Sequence, residues 1–223
     1  MESHRYSARF QQAISDYTQQ IARKPRNPSG YYLRAQAYKD VGEYHQAIAD
    51  ITKVIELSPE DPYAYVLRGV IYMNLQQYQS AIQDFTQAIP FAPKYADVYV
   101  LRGNAYNHLR EFEQAIADAT TAIVLSSKDP QAHILRGNAY NSLGNYEQAI
   151  ANYSSVIEQH AEYANAYYFR GEAYQQRGET DLAVEDYKKT LDIAPESVAG
   201  KLAGQKLKLL GTTLNGKIRD RRN

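Results

Sequence analysis

LRGNAYNHLREFEQAIAD (Leu101–Asp118) and LRGNAYNSLGNYEQAIAN (Leu135–Asn152) begin 34 residues apart and share thirteen of their eighteen letters. Extending the comparison in both directions aligns the chain with itself at the same interval, without a gap. Tyr38, Tyr72, Tyr106, Tyr140 and Tyr174 form one column, and Arg34, Arg68, Arg102, Arg136 and Arg170 another. Ala47, Ala81, Ala115, Ala149 and Ala183 form a third, which Ala13 extends towards the N-terminus. Pro25, Pro59, Pro93 and Pro195 close successive units, with Ser127 and Ala161 in the same slot elsewhere. A period of this length decides the architecture before any single element is assigned.

Within a unit the apolar spacing is helical. In YVLRGVIYMNL, Tyr65, Arg68, Gly69 and Tyr72 fall at i, i+3, i+4 and i+7, on one helix face. A second helix follows, with Ala81, Phe85 and Ala88 spaced by four and three. Between the two, Gly42, Gly144 and Gly178 stand where a helix ends and the chain reverses, a slot filled by Gln76 and Arg110 in the other units. Each unit is therefore expected to be a helical hairpin.

Tyr65, Gly69 and Tyr72, followed by Ala81, Phe85, Ala88 and Pro93, resemble the signature of the tetratricopeptide repeat. The resemblance covers residues 7 to about 197 and includes a bacterial flavour of the motif in which Arg–Gly replaces Leu–Gly. It implies an all-α, right-handed superhelical solenoid of helical hairpins. Five repeats are expected, at 28–61, 62–95, 96–129, 130–163 and 164–197. Residues 1–27 look like a half-repeat helix, 198–211 a C-terminal capping helix and 212–223 a basic, disordered tail.

The repeated arginine would place a guanidinium on a helix face shared with the core, which is costly unless it is paired. Asp16, Asp50, Asp84, Asp118 and Asp186 repeat in phase on the second helices, with Asn152 the exception. A ladder of bidentate Arg–Asp pairs is the expected use of both columns, with an anionic ligand the alternative.

Composition narrows the function classes. The chain has 223 residues, no cysteine, no tryptophan and twenty-one tyrosines. A thiolate metal site, a disulfide framework and a cysteine nucleophile are thereby excluded. The formal net charge of zero is uneven: residues 1–26 carry +3, residues 27–200 carry −9 and residues 201–223 carry +6. So acidic a body argues against nucleic acid as a partner. A weaker idea is that Lys206, Lys208, Lys217, Arg219, Arg221 and Arg222 contact anionic lipid or nucleic acid. No apolar run is long enough to span a membrane, and MESHRYSARF has no signal-peptide core, so a cytoplasmic location is expected.

No catalytic constellation emerges. His4, His45, His108, His133 and His160 occupy unrelated repeat slots, and no metal-binding or Gly-rich phosphate motif is present. His133 replaces a column tyrosine and is expected to be a packed aromatic. The chain is read as a non-enzyme with no cofactor.

The resemblance implies that first helices line a concave groove holding a peptide or protein. Going round those helices, the groove set is Tyr32, Gln36, Lys39, Val66, Val70, Met73, Val100, Asn104, Asn107, His108, Ile134, Asn138, Asn141, Tyr168 and Glu172. The row Tyr32, Val66, Val100, Ile134 and Tyr168 would be an apolar stripe, either solvent-facing or a contact between neighbouring helices. Asn104, Asn107, Asn138 and Asn141 resemble the asparagine ladders that hold extended peptides in this family, with solvated polar filler copied by repeat duplication the alternative. The clamp for the C-terminal carboxylate of heat-shock chaperones needs groove cations, and Tyr32, Val66, Val100, Leu67, Leu101 and Leu135 occupy the slots. The expected partner is an apolar or basic segment of another protein. The rival is a homo-oligomer in which a second subunit completes the half-repeat.

Overall fold

In the computed structural model, residues 2–220 are described for their backbone and residues 9–211 for their side chains as well. The described residues form helices, α1 to α12, and no strand. They divide into two compact units, 1–111 and 112–223, and the division falls between the two helices of the expected third repeat.

The first unit holds α1 (Glu2–Arg23), α2 (Pro28–Asp40), α3 (Tyr44–Leu57), α4 (Pro62–Asn74), α5 (Tyr78–Ala88) and α6 (Ala96–His108). The second holds α7 (Phe112–Leu125), α8 (Pro130–Ser142), α9 (Tyr146–Gln159), α10 (Ala164–Gln176), α11 (Thr180–Ile193) and α12 (Val198–Asp220). Inside each unit, every helix packs on its neighbours in chain order, the pattern of an α–α solenoid.

Local chemistry sets the helix starts. Asn27, Asp61 and Asp129 cap α2, α4 and α8, accepting from the backbone N–H two residues on at 3.0, 3.0 and 2.9 Å. A proline follows at the first helical position in each case, where its missing N–H costs nothing. Tyr31, Tyr65 and Tyr99 then tie the helix to the preceding loop, donating to the carbonyls of Pro25, Pro59 and Pro93 at 3.2, 3.0 and 3.1 Å.

All five reversals use the left-handed conformation. Gly42, Gly144 and Gly178 have φ of 81°, 77° and 82°, and Gln76 and Arg110 adopt it as well, at 58° and 63°. The next residue donates back to the constant tyrosine's carbonyl, as Glu43 does to Tyr38 at 2.8 Å and Gln77 to Tyr72 at 2.9 Å. The turn is thus the same whichever residue occupies the slot.

Two boundaries differ from expectation. α5 stops at Ala88, whereas α3 runs to the position equivalent to Phe91. Pro90 is the cause, because its ring and missing N–H cannot continue a helix. At the other end α12 continues to Asp220 instead of ending near 211, so most of the segment expected to be a disordered tail is helical; residues 221–223 lie outside the described residues.

The core is built from small residues where helices cross. Ala47, Ala81, Ala115, Ala149 and Ala183 are each 0 % exposed. In three of the four Arg–Gly pairs the glycine (Gly69, Gly137 and Gly171) admits a ring from the second helix, whereas beside Gly103 that slot holds Ala119. A Cβ on Gly69 would lie 2.5 Å from Phe85 Cε1, and one on Gly137 would lie 2.5 Å from Tyr153 Cε1. Where the first repeat has Ala35 in place of glycine, the second-helix residue is Ile51, and both are fully buried in one cluster.

The arginine column is anchored on both sides. Arg34, Arg68 and Arg170 make bidentate pairs with Asp50, Asp84 and Asp186, through Nε and Nη2 at 2.7–2.8 Å. These hydrogen bonds raise each guanidinium pKa above its ordinary value, against the opposing effect of burial. Arg136 meets Asn152 instead, with Nε donating to Oδ1 at 2.8 Å, while Asn152 Nδ2 donates to the Gln148 carbonyl. The third guanidinium nitrogen of each arginine reaches back to the preceding second helix. Nη1 donates to the hydroxyls of Thr18, Thr52, Thr86, Thr120 and Ser154 at 2.9, 3.1, 3.0, 3.3 and 3.0 Å. The expected ladder is therefore a three-helix clamp, and the hydroxyl column was present in the sequence in perfect phase. The constant tyrosine flanks the charge: Tyr38, Tyr106 and Tyr174 rings lie 5.8, 5.9 and 5.8 Å from Arg34, Arg102 and Arg170. Asp16 accepts from Gln12 Nε2 at 2.9 Å.

Candidate functional site

The expected groove residues fall on the first helix of each hairpin (α2, α4, α6, α8 and α10), but they do not form a continuous exposed stripe. Val100 and Ile134 are 8 % exposed and Tyr168 is 6 % exposed. Ile134 packs among Ala149, Tyr153 and Val156, and Tyr168 among Ala183, Tyr187 and Ala199. This corrects the solvent-facing reading for three of the five positions: they are buried in the core. Tyr32 and Val66 are half-buried.

In the first unit, α4 presents Val66, Val70 and Met73, each half-buried against the cluster containing Phe85 and Val98. Gln36 and Lys39 are half-buried on α2, and Lys39 is paired with Asp40 at 3.1 Å. On α6, Asn104 and Asn107 are half-buried, and the exposed His108 stacks on Tyr78 with ring centroids 4.5 Å apart and planes 3° from parallel.

A cleft of about 420 Å³ opens at the start of α2 and α4, lined by Pro28, Ser29, Tyr32, Leu33, Val54, Asp61 and Tyr63. Tyr63 is 58 % exposed, and its ring is 6.1 Å from that of Tyr95. Burial, and then the negative charge of Asp61, push the Tyr32 phenol pKa up. Tyr63 lies on the groove-facing side of its helix, as the helical spacing predicts, whereas Asp61 was not among the expected groove residues, and both become neighbours of Tyr32 only when the two hairpins stack. A second cleft, of about 390 Å³, runs beside α1 and is lined by Arg9, Phe10, Ala13 and Tyr17 together with Leu33, Gln36, Ala37 and Asp40 of α2.

In the second unit two of the expected groove side chains, Asn138 and Glu172, are engaged internally. Asn138 Oδ1 accepts from the buried Tyr153 hydroxyl at 2.8 Å. Glu172 is paired with Lys206 of α12 at 3.1 Å, which gives that lysine a structural partner. Burial, and after it the Glu172 charge, raise the phenol pKa of Tyr153, Tyr168 and Tyr187. The Oδ1 atoms of Asn107 in the first unit and Asn141 in the second are shielded from solvent without a partner. His133 is buried, as expected of a packed aromatic, with Nε2 3.2 Å from the Ser127 carbonyl where a tyrosine hydroxyl sits in other repeats.

Among the described residues, no group of three His, Cys, Asp or Glu is placed to hold a metal ion, and no helix is long and apolar enough to cross a membrane.

A family model described as a tetratricopeptide repeat matches residues 32–96 and 100–152, and another of that description matches 164–197. A third, described as a TPR repeat, matches 137–178. The chain belongs to the tetratricopeptide repeat family, a class of repeats that bind other proteins or peptides.

Among solved structures, the chain is similar to the MamA protein, with 25 % identity and a TM-score of 0.69 over 76 % of this chain and 92 % of that one. It is also similar to YrrB, described as a TPR protein with an unusual peptide-binding site. There the identity is 24 % and the TM-score 0.67, over 85 % of this chain and 97 % of that one. The C-terminal part of a TPR repeat-containing protein from Cytophaga hutchinsonii matches at 23 % identity and a TM-score of 0.71, over 85 % and 78 %. No curated protein matches the sequence.

Proposed function

We propose that the protein docks a peptide segment of a partner protein on the first-helix faces of its hairpins, without catalysing a reaction. The observation that carries this reading is in the first unit. There the half-buried Val66, Val70 and Met73 of α4 lie on the helix that also contributes Tyr63 to an open cleft. Partly exposed apolar side chains gathered on one face mark an interaction surface more often than a solvated one. The inward-turned Oδ1 of Asn107 leaves Nδ2 as that side chain's donor for a peptide carbonyl. The family, and the peptide-binding site named for YrrB, support the same class of ligand.

Selection of displayed peptides on the purified chain tests the proposal. Enriched sequences are expected to combine apolar residues with neutral or positive charge. In calorimetry, Met73→Ala or Asn107→Ala should weaken the best peptide roughly fivefold, about 1 kcal/mol. Failure to enrich any peptide, or unchanged affinity in both variants, would overturn it.

A second reading has its own observation. The cleft beside α1, lined by Phe10, Ala13 and Tyr17, is where another copy of the chain would cover a half-repeat.

A further inference from the structure

We propose that the cleft between Tyr32 and Tyr63, edged by Asp61, receives an arginine or lysine side chain of the bound segment. The inference rests on the peptide-docking reading above and specifies one residue of the ligand.

The cleft has walls suited to a cation on a carbon stem. Leu33 and Val54 supply apolar surface for the stem, Tyr32 and Tyr63 supply ring faces, and Asp61 supplies the countercharge. Among the described residues, no basic side chain lines it. A cation over a tyrosine face within about 6 Å is attracted by the ring quadrupole, and a carboxylate beside it adds charge. Asp61 uses one oxygen to cap α4, accepting the Tyr63 N–H at 3.0 Å. The second oxygen keeps its acceptor capacity.

Packing alone does not account for Tyr63, which is 58 % exposed at the start of α4. The same slot holds Ser29, Asp97, Gln131 and Asn165 in the other repeats. Tyr95 leans on the Tyr63 ring at 6.1 Å with the planes 58° apart, which restrains it at the cleft mouth. The combination of Tyr32, Asp61 and Tyr63 therefore occurs at one junction of the array, as a specificity pocket would. The charge is complementary as well, since residues 27–200 carry −9.

Small probes test the cleft without any knowledge of the partner. The full chain is titrated with N-acetylarginine methylamide, N-acetyllysine methylamide and the uncharged N-acetylnorleucine methylamide, and aromatic NMR shifts are followed. The arginine and lysine probes should perturb the Tyr32 and Tyr63 rings in a saturable way, and the norleucine probe should bind at least fivefold more weakly. Asp61→Asn retains the helix cap, because asparagine caps as well as aspartate. It should weaken the cationic probes several-fold, and Tyr63→Leu, at an exposed site, roughly fivefold. Equal binding of norleucine, no saturable shift at either ring, or an unchanged affinity in Asp61→Asn would each overturn the proposal. Peptides that dock while the cationic probes do not would sink this inference and leave the function standing. The reverse result would sink the function and leave only a cation-binding cleft with no docked segment.

Discussion

A guanidinium on a packed helix face is tolerated when its charge and its donors are all met, and here they are met by two different helices. Arg68 is 19 % exposed in its side chain and Asp84 is 6 % exposed, so neither can turn to water without moving a helix. Removing the carboxylate leaves a mostly buried cation without a partner. Asp84→Ala is therefore expected to lower stability by about 3 kcal/mol, read as a fall in the urea midpoint at unchanged slope. Asp84→Asn should cost about half as much, because Asn152 already shows an amide holding Arg136 through one hydrogen bond. A variant Asp84→Ala as stable as the parent would refute the clamp. The carboxylate half of this clamp was legible from the sequence as two in-phase columns. The hydroxyl half, Thr18 to Ser154, carried the same signal but lacks a charge to draw attention to it.

At the scale of the hairpin, the conformational demand of the reversal is uniform although the residues are not. Gln76 and Arg110 stand in this slot where other repeats have glycine, as if its demand were not absolute. Both instead take positive φ, where a side chain crowds the following carbonyl. Gln76→Gly and Arg110→Gly should each raise stability by about 1 kcal/mol, seen as a higher melting temperature, with no change in the far-UV dichroism spectrum. A drop in melting temperature for both would mean that their side chains make contacts worth more than the strain. The early end of α5 belongs to this scale too. Pro90 shortens the helix without shifting the repeat register, and its effect follows from proline's geometry once the local residues are read.

For the whole molecule, the two functional readings differ in what they require of oligomeric state. Docking a partner segment requires only one chain, so light scattering after size exclusion should give a single-chain mass at every loading concentration. A mass that climbs with concentration, and returns to one chain in Phe10→Glu with Tyr17→Glu, would favour self-association through α1. The charge distribution bears on either case: the acidic body between residues 27 and 200 favours neutral or basic surfaces, whether on a peptide or on a second copy.

The repeat period, the hairpin and the Arg–Asp pairing were determined by sequence alone, because each depends on spacing along one chain and recurs often enough to stand out from chance. Which face of a first helix stays open was decided by tertiary structure. Val100, Ile134 and Tyr168 share a repeat slot with Tyr32 and Val66, yet their exposure depends on how far the neighbouring helix covers them. The Tyr32–Asp61–Tyr63 cleft belongs to the same category. Its parts lie on two hairpins, and periodicity within one helix says nothing about which side chains meet across a junction.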